Sequence, residues 1–72
     1  MREERPIVFT ITKITDNFGR LYRIYTKDSR YKYNQLDISV LRLFETMIEI
    51  ADDVNDKGYA VLFEVDWYVD NA

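Results

Sequence analysis

From Val40 to Val54 the apolar residues fall at positions 40, 41, 43, 44, 47, 48, 50, 51 and 54. At about 100° per residue they occupy one half of a helical wheel. Arg42, Glu45, Thr46, Glu49, Asp52 and Asp53 fill the other half. A helix of this kind draws most of its stability from packing its apolar face, so the rest of the chain must supply a complementary apolar surface. Asp37 or Ser39 is placed to cap the first turn, and Gly58 can take the left-handed C′ conformation. The spacing predicts one helix from about Asp37 to Lys57.

The flanking segments read as strands. Ile7 to Thr15 is rich in β-branched residues, which suit a pleated, half-buried surface. Asp16-Asn17-Phe18-Gly19 reads as a turn, and Arg20 to Thr26 as the returning strand of a hairpin. Lys27 to Gln35 reads as a loop with a little extended structure. Tyr59, Val61, Phe63, Val65, Trp67 and Val69 alternate with positions that include Glu64 and Asp66, the period of a last strand. The order ββαβ predicts an α+β two-layer sandwich, with the helix across a three-stranded, mainly antiparallel sheet. The expected core is Ile7, Phe9, Ile11, Ile24, Val40, Phe44, Met47, Ile48, Ala51, Val54, Val61, Phe63, Val65 and Trp67.

Seventy-two residues make a single domain, and a chain of this size buries only about 60% of its unfolded surface. Residues 1–6 read as an N-terminal arm and 70–72 as a frayed tail. The chain has no cysteine, which excludes disulfides and thiolate metal sites, and together with a charged start it points to the cytoplasm. No apolar run approaches the roughly 20 residues that cross a bilayer. The chain also lacks histidine, and its only glycines are Gly19 and Gly58. The usual neutral-pH base, thiol nucleophile, zinc ligands and glycine-rich phosphate loop are therefore missing, which argues against an enzyme and against a cofactor. Asp53, Asn55, Gly58 and Glu64 stand at positions one, three, six and twelve of an EF-hand loop. Lys57 at position five puts a cation where a ligand belongs, and the segment after it alternates as a strand, so no metal is expected.

Charge is uneven along the chain. Residues 1–33 carry eight basic side chains against four acids, a net of +4, and residues 34–72 carry two against nine, a net of −7. Glu45, Glu49, Asp52, Asp53 and Asp56 gather on the helix, with Glu64 and Asp66 on the strand after it. Acids in the last turns of a helix oppose its dipole by a few tenths to about 1 kcal/mol each. Such a face can dock a basic partner or act as a decoy for nucleic acid; it also suits an ordinary solvated surface that keeps a small protein soluble. A second group, Arg20, Tyr22, Arg23, Tyr25, Tyr31 and Tyr33, interleaves rings with cations. That pattern can stack bases and hold phosphates, or form a protein-binding hot spot, and tyrosines also simply suit strands.

The short acidic domain, the Asp16–Gly19 turn, the long amphipathic helix and the closing strand resemble the layout of small phage-encoded inhibitors of host enzymes. These include anti-CRISPR proteins and phage inhibitors of uracil-DNA glycosylase. The resemblance implies an inhibitor that blocks a basic or nucleic-acid-binding surface of a host protein, in the host cytoplasm, and it carries no binding residue over. Two alternatives stay open: a nucleic-acid-binding module using the Tyr/Arg face, and a protomer that self-associates, for example as a homodimer.

Overall fold

The computed structural model describes residues 5–14 and 21–66. The expected turn at 16–19, together with Arg20, Trp67, Val69 and the 70–72 tail, lies outside them. The elements are β1 (Ile7–Ile14), β2 (Leu21–Thr26), β3 (Leu36–Ser39), α1 (Val40–Asp56) and β4 (Val61–Val65). They form the α+β two-layer arrangement that the pattern predicts, with one helix across one sheet. The sheet has four strands instead of three, in the order β3-β2-β1-β4. β1 pairs antiparallel with β2, β2 antiparallel with β3, and β1 parallel with β4.

The added strand is β3, and it shortens the helix at its start. Leu36, Asp37, Ile38 and Ser39 alternate, but Asp37 and Ser39 also look like helix caps, so the two readings compete for the same four residues. Cross-strand chemistry decides between them. Arg23 lies opposite Asp37 in the register, and its guanidinium donates to both carboxylate oxygens at 2.8 and 3.1 Å. Ser39 ends β3 and is the N-cap position in extended conformation, without a side-chain capping bond. At the other end Gly58 takes φ +90. Its N–H donates to the Asn55 carbonyl at 2.9 Å, and that of Tyr59 to the Val54 carbonyl at 3.2 Å. These two bonds are the paired closure of a Schellman motif, which needs a left-handed residue at Gly58.

Alternation places Ile7, Phe9 and Ile11 of β1, Ile24 of β2 and Val61 and Phe63 of β4 on the side facing α1. Ile7, Phe9, Ile11, Ile24 and Val54 are essentially inaccessible. Burial of side chains of this kind contributes about 1.5–3 kcal/mol each. From the helix, Leu43, Thr46, Ile50 and Val54 point down. The expected core is wrong at four positions: Val40 is 44% exposed, Phe44 and Ile48 are 63% exposed, and Val65 is 52% exposed. The reason is packing. The loop between β2 and β3 delivers Tyr31, buried beside Phe9, and Tyr33, half-buried. Their rings meet Phe9 edge-on at 5.7 and 5.3 Å, filling volume beside the helix. α1 is thus rotated so that only part of its apolar half reaches the sheet.

Thr46 tests this rotation, because the wheel places it among the charged residues and the structure buries it with its hydroxyl donating to the Arg42 carbonyl at 2.8 Å. Thr46→Glu should destabilise the fold by at least about 2 kcal/mol through an unpaired buried charge, and Thr46→Val should change it by less than about 1 kcal/mol. Urea unfolding of the two variants measures this, and equal tolerance of both would place Thr46 on the surface.

Candidate functional site

On α1 the acids separate into two kinds. Glu45, Glu49, Asp52 and Asp56 follow one another at four-, three- and four-residue spacing, which puts them in one row on the exposed surface. Arg42 reaches Glu45 at 3.6 Å with both side chains largely exposed, a geometry that contributes little. Glu49, Asp52 and Asp56 have no ion pair among the described residues. Asp53 is of the other kind. It accepts a short hydrogen bond from the Tyr31 hydroxyl and two from Lys57 Nζ, at 3.2 and 3.1 Å. The Tyr31 hydroxyl, and then Lys57, hold its carboxyl below the usual range.

Burial, reinforced by Asp53, pushes the Tyr31 hydroxyl up to about 12. The same ring lies under Lys57 at 5.7 Å. Asp53 is therefore a structural acid that ties the loop to the helix. Glu64 belongs to β4 and faces the side of the sheet away from α1, opposite Thr10 in the register. Asp66 follows β4 and donates its N–H to the Ile11 carbonyl at 2.8 Å. Of the seven acids gathered by sequence, the structure aligns four.

The Tyr/Arg group does not form one face. Tyr31 is in the core, and Tyr33 and Tyr22 pack against it from the helix side. Burial, then nearby Glu49, raises the Tyr33 hydroxyl above its usual range. Arg23 and Tyr25 lie on the opposite, open side of the sheet, and Arg23 is engaged by Asp37. Arg20 is outside the described residues. Arg30 has a structural part: it donates to Asp28 at 2.6 Å and to the carbonyls of Arg5 and Pro6, and lies 5.2 Å from the Tyr59 ring. Rings divided between a core and the two sides of a sheet cannot stack successive bases.

The feature that sequence reasoning missed is apolar. Val40, Leu41, Phe44 and Ile48 form an arc on α1 between the buried seam and the acidic row, with Leu41 84% exposed. The signal was present, since nine apolar positions over four turns exceed what one sheet contact covers. No helix among the described residues is long and apolar enough to cross a membrane. Compared with known proteins, the chain matches no protein-family model, no curated protein and no solved structure.

The paired carboxyls make the fold acid-sensitive. The Arg30 guanidinium and the Arg30 N–H hold the Asp28 carboxyl down to about 2, and Asp53 is also lowered. Both bind a proton less readily in the folded chain than in the unfolded one. Their stabilisation is present above the ordinary carboxylate range and is lost as pH falls from about 4 towards 2. Urea unfolding should show that loss in the wild type and a shallower fall over the same window in Asp28→Asn. An unchanged slope in the variant would assign the acid sensitivity elsewhere.

Proposed function

We propose that this chain is a non-enzymatic interaction protein of the inhibitor type, which lays the acidic row of α1 on a basic surface of a partner protein and occludes it. The observation that carries the reading is the row itself. Asp28, Asp37 and Asp53 are each engaged by a structural partner, whereas Glu49, Asp52 and Asp56 are held out to solvent. They stand in the C-terminal half of a helix, where the dipole works against them and where folding alone favours cations. Acids kept at a place that costs stability suit recognition better than scaffolding.

The geometry also suits a decoy for nucleic acid. At 1.5 Å per residue, Glu45 to Asp56 spans roughly 16 Å. Four charges over that length stand about 5.5 Å apart along the axis, wider than the ~3.4 Å per phosphate along one strand of a duplex but of the same order. The partner that fits is a nucleic-acid-binding enzyme or complex, and an inhibitor encoded by a phage or mobile element is the source that matches the layout. Occlusion of this kind weakens as salt rises, because exposed charges are screened over about 10 Å at moderate ionic strength.

A pull-down from a lysate of the native host tests the reading, with wild type and Glu45→Lys/Glu49→Lys/Asp52→Lys as parallel baits. Circular dichroism confirms that the variant is folded. The expected outcome is one basic protein retained by wild type at low salt, released at high salt, and lost from the variant. Retention of the same partner by both baits would move the working surface off the acidic row.

A further inference from the structure

Two features without a partner among the described residues lie on the same side. The first is the apolar arc of α1. Its direction follows from the loop before β3: Tyr31 bonds Asp53, and Glu49 acts on Tyr33, while only Asn34 and Gln35 separate Tyr33 from Leu36 at the start of β3. A link that short cannot pass beneath the helix, so the charged side of α1 is turned towards β3. The arc holding Val40, Phe44 and Ile48 is then turned towards β4, the side that a right-handed crossover from β3 to β4 requires.

The second feature is the outer edge of β4. Ile7 donates to the Ala60 carbonyl and Asp66 to the Ile11 carbonyl, at 2.9 and 2.8 Å. In a parallel ladder with Ile7 opposite Val61 and Ile11 opposite Val65, these bonds turn the backbone groups of Leu62 and Glu64 towards β1. Those of Val61, Phe63 and Val65 point outward along an edge at the end of the sheet. Unpaired strand edges with exposed apolar side chains are templates for another strand, and β4 exposes Leu62 and Val65, each by 52%.

We propose that a second copy of this chain covers this side, joining β4 to β4 in antiparallel fashion about a two-fold axis at Phe63. The register is self-complementary. Phe63 lies opposite Phe63 of the second copy and Val61 opposite its Val65, so all three outward residues exchange backbone hydrogen bonds. Glu64 lies opposite Leu62 of the second copy and not opposite its own equivalent, which avoids the like-charge pair that such a seam must exclude. An axis perpendicular to the sheet keeps both helices on one side and brings their apolar arcs towards each other above the seam. A specific interface takes about 800 Å² from each partner; a strand edge alone is too narrow for that, and the edge with the helix arc makes a two-layer wall. The acidic rows face away from the seam, so the dimer displays two of them, and its formation does not require the partner proposed above.

Sedimentation equilibrium of the full chain over a wide concentration range, with amide exchange by NMR, tests the assembly. The wild type should sediment as a dimer that dissociates on dilution, with slowed exchange at Val61, Phe63 and Val65. Ile48→Lys and Val65→Lys change exposed positions and should each raise the dissociation constant at least tenfold, with fast exchange at those amides and an unchanged circular dichroism spectrum. Glu45→Lys/Glu49→Lys/Asp52→Lys should dimerise as wild type does, which separates this surface from the acidic row. A monomer at every concentration, a dimer with fast exchange at Phe63, or dimers undisturbed by both lysines would overturn the proposal.

Discussion

Tyr31 brings its ring to Phe9 and its hydroxyl to Asp53, and the way α1 sits on the sheet depends on that double contact. A buried tyrosine needs a partner for its hydroxyl. Asp53 can be that partner only if the charged side of the helix is tipped towards the loop. Lys57 completes the group by reaching Asp53 and lying over the same ring. Once α1 is turned this way, Leu43, Ile50 and Val54 take the seam and Thr46 is drawn in with them. Phe44 and Ile48 are left outside because Tyr31 and Tyr33 already occupy the space that a helix rolled the other way would fill.

How much of this was legible in sequence varies by element, for physical reasons. The long elements were plain: β1 from its β-branched run, β4 from strict alternation, α1 from its wheel and from Gly58. Each rests on a periodicity repeated over several residues. β3 was hidden because four residues are too few to establish a period, and because Asp37 and Ser39 satisfy two local roles equally well. The strand is set by partners far off in sequence: the β2 ladder and Arg23, fourteen residues from Asp37. The rotation of α1 was hidden for a related reason. A wheel shows which half is apolar, but not which part of that half meets the sheet, and the choice is made by tyrosines of a loop that sequence leaves featureless.

The candidate surfaces follow the same division. The acidic row could be read directly, since like charges at three- and four-residue spacing are neighbours on any helix. That Asp53 stands apart from the row could not, because its partners come from the loop and from the helix end. The Tyr/Arg group looked continuous in sequence only because strand alternation and core burial had yet to divide it. One rotation thus divides α1 into three parts: a seam that holds the fold, a row of acids held out to solvent, and an exposed apolar arc. The seam stabilises the domain, and the other two are the surfaces proposed above for recognition.

Intrachain methyl-to-aromatic NOEs measure the rotation of α1 most directly. The methyl groups of Leu43, Ile50 and Val54 should show contacts to the rings of Phe9, Tyr31, Tyr33 or Phe63 of their own chain. The methyl groups of Ile48 should show none to these rings within the same chain. Intrachain contacts from Ile48 or Phe44 to the sheet, with Thr46 exposed, would contradict the rotation and with it the apolar surface proposed for a second copy.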